Sequence, residues 1–107
     1  MGRLAYSCSR KPNTSLASPW PQPVTLPKIT QLDDCGDYEA ELAVVLGKAA
    51  KNVSPADAMD YVLGYTAAND VSSRTSQLAQ SQWSFSKGFD SACPIGTHII
   101  CVSWLQN

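Results

Sequence analysis

With 107 residues, 44% of them hydrophobic, the chain is long enough for one domain with a modest core and too apolar for a disordered tail. Eight basic against nine acidic residues leave a formal charge of -1, too little to attract nucleic acid or an anionic membrane, so small molecules and protein surfaces are the expected partners. No apolar run reaches the ~18 residues of a membrane span, and the four cysteines, Cys8, Cys35, Cys93 and Cys101, form no CxxC pair and have only His98 for company, which argues against zinc and for a reducing compartment.

At the N-terminus, Arg3, Arg10 and Lys11 stand among serines with no acid before Asp33, a composition shared with mitochondrial presequences. The segment lacks an amphipathic repeat and Pro12 interrupts it, so the cytoplasm is the expected location and the mitochondrion the alternative. Between Lys11 and Lys28 the chain holds Pro12, Pro19, Pro21, Pro23 and Pro27, a spacing that forbids a helix and predicts an extended wrapping segment or edge strand.

Asp33, Asp34, Gly36 and Asp37 supply turn chemistry ahead of a strand expected from about Glu39 to Leu46, ended by Gly47. In a strand Glu39 and Glu41 share one face, while Tyr38, Ala40 and Leu42 share the other. Two carboxylates on one spot repel each other, so the pair makes most sense around a cation. In the plainer reading both glutamates decorate the solvent face of an antiparallel strand.

Ser54, Pro55 and Asp57 read as an N-cap, a first-turn proline and an acid at the positive helix end. Ala56, Met59, Val62 and Leu63 recur at helical spacing and Gly64 suits a left-handed C-terminal position, so a helix is expected over Pro55 to Leu63. Extended structure should return from Tyr65 to Val71. Propensity leaves Gln77 to Trp83 open between a loose helix turn and a loop, and Phe85, Phe89 and Ile95, broken by Gly88 and Gly96, read as loop and then strand. Asp70, in AANDVSSR, sits at the end of a strand, where a third carboxylate can complete an oxygen-rich site for a hard divalent cation. Alternatively it caps an Asx turn into Val71 and Ser72.

Together, DYEAELAVVLGK, DYVLGYTAANDVSSR and QWSFSKGFDSACPIG, preceded by KPNTSLASPWP, resemble the core of the fumarylacetoacetate hydrolase family, its fungal members in particular. The resemblance spans residues 11–96, leaving 1–10 as a divergent N-terminal segment and 97–107 as a divergent C-terminal tail. It implies a mixed α/β, mostly β fold, part of the family's mixed β-sandwich roll, with one short helix. It further implies that Glu39, Glu41 and Asp70 are metal ligands, with Mg2+ the expected ion and Ca2+ or Mn2+ the alternatives. Lys87, in SKGFD, matches the family's catalytic lysine, although by residue type alone a solvated surface lysine is the default. Arg74 matches an arginine that is either substrate-binding or structural, bracing carboxylates.

Relatives act on 1,3-dicarbonyl or 2-keto acid compounds by hydrolytic carbon-carbon cleavage, decarboxylation or tautomerisation. Each passes through enolate-like charge that a divalent cation and a nearby lysine can stabilise. Metal-dependent hydrolysis of acylpyruvate-like substrates is therefore the leading expectation, with oxaloacetate decarboxylase or keto-enol tautomerase as the alternative. The pattern departs from hydrolytic relatives in two places. No histidine lies upstream of the paired glutamates to activate water, and His98 falls past the PIG motif, a poor position for a base. The chain stops at IICVSWLQN, where relatives continue with a TGTP-like segment. This leads us to expect a truncated domain with impaired activity, working as a homo-oligomer or as a non-catalytic fragment that associates with full-length subunits.

Overall fold

The computed structural model describes residues 10–18, 21–31 and 36–105. The first nine residues, Cys8 among them, together with Pro19, Asp33, Asp34 and Cys35, therefore lie outside the described residues. Among the described residues seven strands carry the fold: β1 (Leu16–Ala17), β2 (Gly36–Asp37), β3 (Ala40–Leu46), β4 (Val62–Asn69), β5 (Ser72–Ser73), β6 (Cys93–Pro94) and β7 (Ile100–Cys101). The described residues also hold four α-helical segments, α1 (Lys28–Gln31), α2 (Arg74–Ala79), α3 (Ser84–Lys87) and α4 (Val102–Leu105), each a turn or two long. The architecture is the expected mostly β, mixed α/β fold, although its helical turns fall elsewhere than the sequence pattern suggests.

β3 and β4 form the central ribbon. They pair antiparallel from Ala40 opposite Asn69 to Val45 opposite Gly64, and the register shifts before Leu46 meets Val62. β2 and β5 continue that ribbon in the same register, with Gly36 opposite Ser73 and Asp37 opposite Ser72. Between the two ladders lies a short irregular stretch, Tyr38 and Glu39 facing Asp70 and Val71, bridged by the Asp70 N–H donating to the Glu39 carbonyl at 2.9 Å. On the other side of β4, Ile95 bridges Ala68 and β7 pairs with Gly64 and Tyr65.

Among the described residues of the proline-rich segment no α-helix forms ahead of α1, which begins at its last residue, Lys28, and β1 lies parallel beside β6. The same neighbours are tied by the Ser91 N–H to Thr14 O at 3.0 Å and the Ile95 N–H to Ala17 O at 3.2 Å. A 3-10 turn over Asn13–Ser15 precedes β1.

The helix expected over Pro55 to Leu63 does not form. Ser54 Oγ accepts from the Asp57 N–H at 3.3 Å in a local turn, but the 3-10 turn that follows, Ala58–Tyr61, has Asp57 at its N-cap, and β4 begins at Val62. Strand pairing outweighs helical spacing here: Val62 takes Leu46 as its partner, and Met59 is exposed instead of facing a core. Gly64 is accordingly not a left-handed cap. A Cβ there would lie 2.3 Å from the Ile100 carbonyl oxygen, so the missing side chain lets β7 close on β4. Gln77 resolves into α2, Phe85 into α3 in place of loop, and Ile100–Cys101 pairs as a short strand before α4.

The interior is small and unusually polar. Val71, Ala92 and Cys93 are the buried apolar residues among those described, beside buried Ser15, Thr66, Ser72, Ser73 and Ser86. Cys93 and Cys101 are free thiols, and burial pushes the Cys93 thiol above its ordinary pKa. On the outer face of the ribbon Leu42 and Val44 are more than half exposed. Among the described residues no helix is long and apolar enough to cross a membrane.

Candidate metal centre

The irregular stretch between the two ladders holds the acids singled out by the sequence. Glu39 enters from the residue before β3, Glu41 from its second position, and Asp70 from the residue after β4. Because the ladder holds Asn69 opposite Ala40, Glu39 and Asp70 meet across the ribbon, and one carboxylate oxygen from each of Glu39, Glu41 and Asp70 lies within 4.8 Å of the others. An all-oxygen donor set of this span suits a hard divalent ion with bonds of about 2.0–2.6 Å. Glu41 is exposed and has no hydrogen-bond or ion-pair partner among the described residues, so a ligand-ready carboxylate is present.

Three cations surround the acids. Lys87, the last residue of α3, has a side chain only 4% exposed and places Nζ 2.8 Å from Glu39 Oε2, 3.4 Å from Asp70 Oδ2 and 2.6 Å from Ser72 Oγ. The surface-lysine reading is thereby overturned, because no solvated lysine is held by three buried or half-buried oxygens. Arg74 opens α2, where it donates from Nε to Asp37 Oδ2 at 2.8 Å and from Nη1 to Glu39 Oε1 at 2.5 Å. Of its two expected roles, the geometry of bracing carboxylates is the one seen. Lys11 donates to Asp70 Oδ1 at 2.6 Å and also to the carbonyl of Lys87.

These contacts set the electrostatics. The Arg74 guanidinium bonded to Asp37 holds that carboxyl below its ordinary pKa, with the Tyr38 N–H helping. The Lys87 ammonium, and then Arg74, hold Glu39 low against the opposing cost of burial. Arg74 is raised in turn, first by Asp37 and then by Glu39.

Lys11, Ser72 and Asp37 are members of the cluster that residue patterns do not single out. Lys11 sits in a proline-rich segment whose sequence signals only extended backbone, and it comes to the site through β1 docking on β6. His98 is exposed, with its Nδ1 2.7 Å from Thr97 Oγ1, and lines a cavity of about 350 Å3 together with Glu41, Tyr65, Thr66, Gly96 and Ile100. Thr66 Oγ1 is buried beside that cavity with no hydrogen-bond partner among the described residues.

The sequence is 61% identical over 83 residues to the caffeoylpyruvate hydrolase of Neonothopanus nambi, covering 76% of this chain and 28% of that protein. It is 45% identical over 80 residues to the mitochondrial oxaloacetate tautomerase fahd2 of Xenopus laevis, covering 73% of this chain and 24% of that one. In structure it resembles a crystal structure of 2-hydroxyhepta-2,4-diene-1,7-dioate isomerase from Mycobacterium marinum, with a TM-score of 0.78 at 42% identity, covering 86% of this chain and 35% of the other. The chain thus spans about a quarter to a third of the length of the relatives it matches. The family model described as Fumarylacetoacetate (FAA) hydrolase C-terminal matches residues 5–107, and the chain belongs to the fumarylacetoacetate hydrolase family.

Proposed function

We propose that this chain carries the divalent-metal half of an active site that acts on acylpyruvate-like 2-keto acids, cleaving a carbon-carbon bond by hydrolysis in the cytoplasm. The observation that carries this reading is the convergence of Glu39, Glu41 and Asp70 within 4.8 Å, with Lys87 buried beside them. Glu39, Glu41 and Asp70 would hold the cation, Mg2+ first and Mn2+ or Ca2+ as substitutes, as their all-oxygen chemistry favours. When bound, such an ion supplies Lewis-acid polarisation of a carbonyl oxygen.

The chain's own residues supply the frame. Lys87 holds Glu39 in its ionised form, pairs with Asp70, and adds fixed positive charge beside the place where enolate charge develops, in surroundings that screen it little. Arg74 fixes the Glu39 side chain from the other side, so that the carboxylate is oriented before any ligand arrives. The cavity next to Glu41 gives room for the part of a substrate beyond its chelating oxygens, with Thr66 Oγ1 as a polar contact on its wall. The proposal is tested by supplying the purified chain with Mg2+ and following acylpyruvate cleavage by loss of its ultraviolet absorbance. Turnover that disappears in Glu41→Gln supports it, and turnover unaffected by Glu41→Gln contradicts it.

One observation favours a second reading, keto-enol tautomerisation of oxaloacetate. The chain's sole histidine, His98, is exposed and bonded to Thr97, so the described cluster offers carboxylates and cations but no imidazole to activate water. Enolisation requires proton transfer and charge stabilisation without water attack. Loss of the enol absorbance of oxaloacetate, with no cleavage of acylpyruvate, would select it.

A further inference from the structure

Resting on the metal-centre reading, we propose that Lys11 is a built-in counter-cation of the carboxylate cluster. It holds Asp70 while no divalent ion is bound, leaves that oxygen when one binds, and so sets the affinity of the site.

Four carboxylates, Asp37, Glu39, Glu41 and Asp70, face three side-chain cations, Lys11, Arg74 and Lys87. Arg74 is divided between Asp37 and Glu39, and Lys87 between Glu39, Asp70 and Ser72, so each is fixed by several acceptors on different elements. Lys11 differs from both. Among the described residues its one carboxylate partner is Asp70, at 2.6 Å, and its side chain is 18% exposed where that of Lys87 is 4% exposed. The ammonium that can leave without stranding a charge in the interior is therefore that of Lys11, on a flexible four-carbon stem.

The backbone that carries Lys11 is held firmly. Pro12 O accepts from the Ser15 N–H at 3.0 Å and from Ser15 Oγ at 2.7 Å, and Ser15 is fully buried. Pro12 Cδ would lie 3.0 Å from a Cβ at Gly88, the residue after α3, so the glycine allows the segment to close over the helix end. There Lys11 donates to the Lys87 carbonyl, one of the orphan acceptors that a helix C-terminus presents. With that bond available, Lys11 can release Asp70 without losing every partner. An ion coordinated by Asp70 and an ammonium on the same carboxylate repel each other strongly at such separation, so occupancy by one works against the other.

The test is a Mn2+ titration of the folded 107-residue chain, followed by electron paramagnetic resonance, on the unaltered protein, Lys11→Gln and Lys11→Met, with thermal melts confirming that each variant is folded. Gln keeps a donor for the Lys87 carbonyl without the charge; Met removes both. Mn2+ binding about tenfold tighter in both variants is expected, since a repelling charge is gone. Unchanged or weaker binding in a folded variant overturns the proposal, because removal of a competing counter-cation must tighten the site. Should neither variant fold, the ε-ammonium nitrogen-15 signals of the unaltered protein decide. Saturating Mg2+ is expected to shift the Lys11 signal toward that of an ammonium freed from its carboxylate; an unmoved Lys11 signal overturns the inference. Mn2+ that binds, weakens on Glu41→Gln and ignores the Lys11 variants would sink this inference alone, whereas no saturable binding to the unaltered chain would sink the metal-centre reading and this inference together.

Discussion

Lys87 Nζ lies 2.8 Å from Glu39 Oε2, a lysine from the end of a short helix paired with a glutamate at the foot of a strand. The lysine is one of the most buried side chains described, and Glu39 and Asp70 share its charge. Replacing it by Met keeps the bulk and leaves two carboxylates with one cation fewer. We expect Lys87→Met to destabilise the fold by about 3 kcal/mol, the lower part of the range for breaking a buried pair, since Glu39 keeps Arg74 and Asp70 keeps Lys11. Urea denaturation measures this, and a change below about 0.5 kcal/mol would show that Lys87 behaves as a surface residue.

The two lowered carboxyls fix the sign of the acid response. Asp37 is held down chiefly by Arg74, and Glu39 chiefly by Lys87, so both folded pKa values lie below the unfolded ones, about 3.9 and 4.3. The stability they contribute is fully present above those unfolded values and is lost as pH falls through the lowered folded ones. Melting temperatures taken from pH 7 down to pH 3 should therefore fall below about pH 4.5. In Arg74→Met the fall should be shallower, and an equally steep fall would assign the acid response to other groups.

At Gly64 the reason for glycine is space. A Val there would drive its Cβ into the Ile100 carbonyl, so Gly64→Val should open the β4–β7 pairing and cost about 1–3 kcal/mol. Amide exchange at Ile100 and Cys101 reports it directly: protection should be lost at those two positions and kept along β3.

The outer face of the central ribbon, with Leu42 and Val44 exposed opposite Ala67 and Tyr65, is an apolar surface of the kind that mediates association. Sedimentation should show concentration-dependent self-association that Leu42→Lys reduces. A monomer at every concentration would contradict the expectation of a homo-oligomer.

Much of the ribbon was legible in the sequence, because alternation and turn chemistry around Glu39 to Leu46 are local signals that strand pairing reinforces. Strand geometry alone puts Glu39 and Glu41 on one face, whereas Asp70 joined them in the sequence through the family resemblance, the Asx-turn reading being equally local. The helix over Pro55 to Leu63 was misread where two signals competed. Ser54 makes the local bond to the Asp57 N–H, but Val62 and Gly64 answer to partners on β3 and β7 that no local pattern reveals. Lys11 was missed for a related reason: its partner Asp70 is far along the chain, and only the β1–β6 pairing brings them together.

The most direct test of the metal centre is calorimetric titration of Mn2+ into the chain and into Glu41→Gln. Glu41 has no partner among the described residues, so this substitution should leave the ion pairs of Glu39 and Asp70 intact and the melting temperature nearly unchanged. The account predicts saturable binding of one ion to the unaltered chain, weakened at least about tenfold by Glu41→Gln, as expected for losing one carboxylate ligand. Equal affinity in the two proteins, or no binding to the folded unaltered chain, would contradict it.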